Sequence, residues 1–136
     1  MGRAVLLAML SLAVVGCLTA PEPNRPIQPL PVDGSQMSYK EAMIRARALA
    51  SSANEAFYID QWGEVEKAAA NLEETAQYLP RASEIPSARK VSLQVRSEEL
   101  AKEAQALRNA AKAKDEKKTN ETMQKINLLV RELRPE

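Results

Sequence analysis

The chain has 136 residues, with 19 lysines and arginines against 18 aspartates and glutamates and a formal net charge of +1. This near balance provides no electrostatic attraction toward nucleic acid, and we expect none as a partner. The chain contains no histidine and a single cysteine, which excludes a Ser-His-Asp triad, a Cys-His pair and imidazole metal ligands. Its four scattered glycines form no phosphate-binding loop. We therefore expect a protein that is not an enzyme, with no cofactor and no metal site.

The first predicted element is a short apolar segment near the start of the chain. Arg3 supplies a positive charge, and the run AVLLAMLSLAVV after it carries none. A run of this length has the size of a signal-peptide core. It is too short for a membrane-spanning helix, which needs about 20 residues. We therefore predict that residues 1–16 are a signal peptide.

The run ends in Val14-Val15-Gly16-Cys17, which resembles the lipobox of bacterial lipoproteins. The resemblance implies cleavage before Cys17 and attachment of lipid to that cysteine. Cys17 would then anchor the protein in the cell envelope without spanning the membrane. Leu18 stands where an aspartate would resemble an inner-membrane retention signal, which favours the periplasmic face of the outer membrane. Loss of residues 1–16 removes one positive charge, Arg3, and leaves 18 basic and 18 acidic side chains.

Residues 17–36 are predicted to be a flexible, proline-rich linker. The segment holds five of the eight prolines of the chain, and so many prolines prevent both a helix and a strand ladder. Such a sequence is typical of an extended, semi-rigid spacer that separates a domain from the membrane. From Met37 onward alanine, glutamate, lysine, arginine and leucine dominate, and residues 37–136 are predicted to form one helical domain.

Two amphipathic helices are predicted in the first half of this domain, each with apolar residues three and four positions apart. The first begins with a capping box formed by Ser38 and Glu41. The second, over residues 60–79, is predicted to be capped by Asp60 and stopped by Pro80. The apolar positions are Tyr39, Ala42, Met43, Ala46, Leu49, Ala50, Ala53, Ala56 and Phe57 in the first helix, and Trp62, Val65, Ala69, Leu72, Ala76 and Leu79 in the second.

Two more helices are predicted in the second half. The third spans residues 87–112, with Val91 and Val95 widening its apolar stripe. The fourth is predicted to be capped by Thr119 or Asn120 and to end at Pro135. The stripes are Leu93, Ser97, Leu100, Ala104, Leu107 and Ala111 in the third helix, and Met123, Ile126, Val130 and Leu133 in the fourth, flanked by Leu128 and Leu129.

Four such helices with short connections predict an all-α fold, an up-down-up-down antiparallel four-helix bundle with coiled-coil-like packing. The second helix carries five carboxylates and one lysine, and the third carries six basic and three acidic residues. Opposite charges favour placing these two helices side by side, although each exposed ion pair stabilises by only a few tenths of a kcal/mol.

The remaining polar and aromatic side chains have structural interpretations. Adjacent helical residues point about 100° apart, so the pairs Glu73-Glu74 and Glu98-Glu99 are predicted to lie on a solvated face. Aromatic residues with a polar group pack well at helix ends. Trp62 is predicted to anchor the core, and water-exposed hydroxyl groups are predicted for Tyr39, Tyr58 and Tyr78.

The segments WGEVEKAAANLEETAQYLP and LAKEAQALRNAAKAKD, within a four-helix pattern after a signal sequence, resemble the cytochrome c-prime family. In that family the last helix carries C-x-x-C-H, which holds haem. Here Ile126 and Leu129 stand in place of the cysteines, Val130 in place of the histidine and Leu133 near the aromatic position. No functional residue of the family can be carried over. The resemblance implies a bundle in which these side chains and Met43 fill the space of the cofactor.

These observations lead to one principal hypothesis and two alternatives. The principal hypothesis is a non-enzymatic envelope lipoprotein, anchored through its N-terminal lipid, that acts as a binding or structural module. Its expected partner is an envelope protein, with an envelope polymer as the alternative. One alternative is an electron-transfer or ligand-sensing protein of the cytochrome c-prime type that holds haem non-covalently through Met43 or Met123. A purely structural spacer is the other. The sequence leaves open whether the chain forms a homodimer.

Overall fold

The computed structural model describes residues 26–135, and every regular element in this range is helical. The predicted signal peptide, the lipobox with Cys17 and the first part of the predicted linker lie outside the described residues. Within them, no helix combines the length and apolar character needed to cross a membrane. The helices are α1 (Tyr39–Tyr58), α2 (Trp62–Tyr78), the one-turn α3 (Ser87–Lys90), α4 (Leu93–Lys112) and α5 (Glu116–Glu132), with a 3-10 turn at Leu79–Arg81.

The capping box at the start of α1 is confirmed. The Ser38 hydroxyl accepts a hydrogen bond from the Glu41 amide at 3.2 Å, and the Glu41 carboxylate accepts one from the Ser38 amide at 3.0 Å. These bonds satisfy two amides that have no partner within the helix. The Glu41 carboxylate also accepts a hydrogen bond from the Ser38 hydroxyl at 2.8 Å. Because the bonds from the Ser38 amide and the Ser38 hydroxyl favour the ionised carboxylate, they lower the pKa of Glu41 below its ordinary value of 4.5.

The prediction that Asp60 caps the second helix is wrong. Asp60 adopts a φ of 57° and completes the end of α1. The Asp60 amide donates to the carbonyl of Phe57, and the Gln61 amide donates to the carbonyl of Ala56. This pair of bonds is a Schellman motif, whose left-handed position aspartate tolerates better than most residues. Gln61 takes the N-cap position of α2 and makes no side-chain capping bond.

The prediction that Thr119 or Asn120 caps the last helix is also wrong, because α5 begins one turn earlier. A second Schellman motif ends α4, with Lys114 at a φ of 52° and the amide of Asp115 bonded to the carbonyl of Ala110. Asp115 is then in place to cap α5, and its carboxylate accepts from the Lys118 amide at 3.0 Å.

The predicted third helix is divided into α3 and α4 by a turn at residues 91–92. Val91 is 95% exposed and Val95 is 58% exposed, so neither widens the apolar stripe. Side chains two positions apart on an α-helix point about 200° apart around its axis. Val95, two positions from both buried Leu93 and buried Ser97, therefore points away from the core.

Side-chain hydrogen bonds show that α1 runs antiparallel to α2 and to α5. Arg45 near the start of α1 bonds to Thr75 near the end of α2 at 2.9 Å. The Tyr39 hydroxyl at the start of α1 donates to the Leu133 carbonyl beyond α5. The backbone of α1 approaches those of α2 and α5 closely, and the backbone of α4 approaches those of the same two helices. The ion pairs between neighbours are Glu103–Lys125 at 3.8 Å, Arg96–Glu132 at 3.6 Å and Arg108–Glu73 at 3.2 Å.

The core consists largely of the predicted apolar stripes. Leucines of α2 and α4 and many alanines fill the space between the helices. Leu128 is an exception, because it is 46% exposed. The side chains predicted to fill the position of a haem group are all buried: Met43, Ile126, Leu129, Val130 and Leu133.

Two of the three tyrosines differ from the prediction. Tyr39 is fully buried and donates its hydroxyl hydrogen to the Leu133 carbonyl. Tyr78 is buried, and its hydroxyl accepts from the Met37 amide at 2.7 Å. Both hydroxyls have main-chain partners because the segments on either side of the helices fold back over these rings. Only Tyr58, 81% exposed, has the predicted contact with water.

Candidate functional site

The most distinctive surface feature of the described residues is a groove between α1 and α5, which we call the arginine groove. It is an open depression of about 690 Å³. Its α1 side consists of Ile44, Arg47, Ala48, Ala50, Ser51 and Asn54, and its α5 side of Asn127, Val130, Arg131 and the following Arg134.

Helical periodicity and the antiparallel packing of α1 and α5 together build this groove. Arg47, Ser51 and Asn54 lie three and four residues apart, so they share one side of α1. Asn127, Arg131 and Arg134 do the same along α5 and the turn after it. The antiparallel arrangement brings the two rows to opposite walls. The floor is apolar, formed by buried Ala50 and Val130 and by half-exposed Ile44.

The arginines of the groove form no ion pair with the part of the chain that the structure describes. All three of its arginines, Arg47, Arg131 and Arg134, are exposed, and none forms an ion pair with any residue between 26 and 135. No carboxylate is among the described side chains that line the groove. By contrast, Arg96 and Arg108 each pair with a glutamate of a neighbouring helix. The arrangement suits an anionic group, because guanidinium binds carboxylate through two parallel hydrogen bonds.

The predicted acidic pairs do not form a site. Glu99 pairs with Arg96 at 2.9 Å, and Glu73 pairs with Arg108 at 3.2 Å. Glu74 and Glu98 are exposed. Across the described range, no group of histidine, cysteine, aspartate or glutamate side chains is arranged to hold a metal ion.

The other side chains considered as candidates are structural. Met43 and Met123 are 2% and 4% exposed, so both thioethers lie inside the core. Trp62 is half-buried and packs against the core from its edge, with its ring 5.5 Å from that of Phe57 in a T-shaped arrangement. The proposed lipid attachment site, Cys17, lies outside the described residues.

The arginine groove is not evident from the sequence alone. The sequence does contain one sign of it, because two polar rows at helical spacing lack acidic residues. These rows are Arg47, Ser51 and Asn54, and Asn127, Arg131 and Arg134. Each row by itself is an ordinary polar helix face, and only the packing of α1 on α5 joins them.

Comparisons of this chain with protein-family models, with curated proteins and with solved structures found no match.

Proposed function

We propose that this chain is a membrane-anchored envelope lipoprotein whose four long helices form an up-down-up-down antiparallel bundle. The bundle is a non-enzymatic binding module of cytochrome c-prime-like helix pattern, without haem. It binds an acidic segment of an envelope protein in the arginine groove. Lipid on Cys17 holds it at the periplasmic face of the outer membrane.

The arginines of the groove carry this proposal. Three guanidinium groups lie around one depression, and its described lining residues include no carboxylate. A partner that supplies carboxylates therefore completes their hydrogen bonds. The apolar floor of Ile44, Ala50 and Val130 adds contact area for an aliphatic side chain between the carboxylates. Charge complementarity of this kind contributes mainly to specificity and to the association rate.

The lipid anchor is supported by the sequence. The apolar run, the lipobox-like residues before Cys17 and the proline-rich segment after it follow one another in the order of a lipoprotein precursor. Binding in the arginine groove needs no chemistry from Cys17, so the two parts of the proposal can be tested separately.

The groove is tested by photo-crosslinking in intact cells. A photo-reactive amino acid at Ser51, an exposed position on the groove wall, should form a crosslink to a discrete envelope protein. Arg47→Glu combined with Arg131→Glu should reduce that crosslink at least about tenfold, since the repulsion replaces two charge-assisted hydrogen bonds. Lys102→Glu, an exposed charge reversal on α4, is the matched control and should leave the crosslink unchanged. An unchanged crosslink in the double arginine variant would show that the groove is not the binding site.

A further inference from the structure

A proline-rich segment before α1, residues 26–32, is here called the strap. Its sequence is PIQPLPV, and three prolines in such a short segment favour the extended polyproline II conformation. That conformation has three residues per turn, so Ile27 and Leu30 lie on the same side of the strap. Both side chains are half-buried and pack against the hydrophobic core. The strap therefore presents one apolar side to the helices.

Arg45 connects the strap to two helices, α1 and α2. Its guanidinium donates to the Gln28 carbonyl at 2.6 Å and to the Thr75 hydroxyl at 2.9 Å, and Arg45 is only 8% exposed. Ile27 borders a depression between the same helices, one turn further along α1 at Leu49. A polyproline II segment leaves its own carbonyl groups without internal hydrogen bonds, so a buried guanidinium suits its recognition. We call Arg45, Leu49 and Thr75 the strap site.

The strap is held less firmly than the residue that leads into α1. Within the described chain, the Gln28 carbonyl makes the only main-chain hydrogen bond between the strap and the helices. Val32, at the end of the strap, is 99% exposed. By contrast, the buried Met37 donates its amide to the Tyr78 hydroxyl at 2.7 Å, and its carbonyl accepts from the Ser83 amide at 3.1 Å. The strap can therefore leave the helices while Met37 stays in place.

An exposed turn, residues 33–36, joins the strap to Met37. The Asp33 carboxylate accepts from the Ser35 amide at 3.2 Å and from the Ser35 hydroxyl at 2.7 Å. Gly34 has a φ of 81°, a left-handed conformation that glycine adopts without strain. Both hydrogen bonds are internal to the turn, so they persist whether or not the strap lies on the helices. The turn thus provides a hinge for the strap.

We propose that the strap site binds extended, proline-rich protein segments, and that the strap occupies this site as a displaceable intramolecular ligand. A competing segment has the chemistry of the strap, with two aliphatic side chains three positions apart, flanking prolines and a main-chain carbonyl for Arg45. The strap carries no charged side chain, so added salt does not reverse the competition. The strap closes the site until a partner displaces it. This inference depends on neither the lipid anchor nor the arginine groove.

The test measures binding of a synthetic peptide to the full chain. The peptide has the sequence of residues 26–36 with blocked ends and a fluorescent label, and fluorescence anisotropy reports its binding. Ile27→Ser combined with Leu30→Ser in the full chain should bind the peptide at least about tenfold more tightly than the native chain, whose site is open in only a small fraction of molecules. Val32→Ser is the matched control, because Val32 is 99% exposed, and it should bind as weakly as the native chain.

Two further measurements identify the contacts. A peptide with serine in place of both aliphatic residues should not bind the double variant. Adding Arg45→Met to that variant should weaken binding of the original peptide at least about fivefold, since the peptide carbonyl loses a charged donor.

The outcomes that would overturn the proposal are distinct. Equal affinity of the native chain and the double variant would contradict a displaceable strap, and no binding to either would contradict the site. Circular dichroism should show the same helical content in the native chain and in the double variant. A loss of helix in the double variant would show that the strap is an integral part of the core and not a ligand.

Discussion

Single residues in this protein close the ends of helices that are distant in sequence. The Tyr39 hydroxyl donates to the carbonyl of Leu133, one of the main-chain acceptors left without a helical partner at the end of α5. Arg45 provides a similar link to the carbonyl of Gln28. Because Tyr39 and Leu133 are both buried, loss of the Tyr39 hydroxyl would leave the Leu133 carbonyl without a hydrogen-bond donor.

We expect Tyr39→Phe to lower the free energy of unfolding by about 1–3 kcal/mol, because the carbonyl of Leu133 stays buried without a donor. Urea denaturation followed by circular dichroism measures the change. Tyr58→Phe is the matched control, since Tyr58 is 81% exposed, and it should change stability by less than about 0.5 kcal/mol. Equal effects of the two substitutions would contradict the assigned bond.

The buried hydroxyl of Tyr39 should also make the folded protein less stable at alkaline pH. Burial raises the pKa of Tyr39 above its ordinary value of 10.0, and the positive charge of Arg89 opposes this in part. Because the raised pKa belongs to the folded state, the unfolded chain loses its proton first. The stabilisation that protonated Tyr39 gives the folded state is complete below the pKa that this tyrosine has in the unfolded chain. It is lost as the pH rises through the raised pKa of the folded state. The free energy of unfolding should therefore fall above pH 10, and this fall should be smaller in Tyr39→Phe.

At the scale of elements, the helix ends are specified by local motifs that overlap. Lys114 completes the Schellman motif of α4, and Asp115 both takes part in that motif and caps α5. A lysine in the left-handed conformation is not an obvious stop signal, so the charged residues 112–117 do not show which residue caps the helix after them. The error of one turn in the predicted start of α5 comes from this ambiguity.

We expect Asp115→Ala to lower the free energy of unfolding by about 0.5–2 kcal/mol, because the amide of Lys118 loses its acceptor. Thermal and urea denaturation measure it. Asn120→Ala, at an exposed position inside α5, is the control and should have little effect. Thr119→Val should not destabilise as a lost cap would, since the buried Thr119 hydroxyl has no hydrogen-bond partner among the described residues. A larger loss from Asn120→Ala than from Asp115→Ala would contradict the assigned cap.

For the whole molecule, the packed core predicts that the protein does not bind haem. Ile126, Val130 and Leu133 are each at most 5% exposed, and burying such side chains stabilises the fold by about 1.5–3 kcal/mol apiece. A porphyrin would displace them, and the chain has no histidine to bind its iron. Titration of the purified protein with haemin should give no sharpened Soret band and no saturation. A one-to-one complex of about micromolar affinity would support the alternative of non-covalent haem.

The sequence by itself determined the all-helical class, the capping box of α1 and most of the buried stripes. These features depend on periodicity and on contacts within a few residues, and both can be read along one helix. The tertiary structure decided what depends on two segments meeting. Arg45 is buried because the segment before α1 supplies the carbonyl of Gln28, and the arginine groove exists because α1 and α5 bring two ordinary polar rows together.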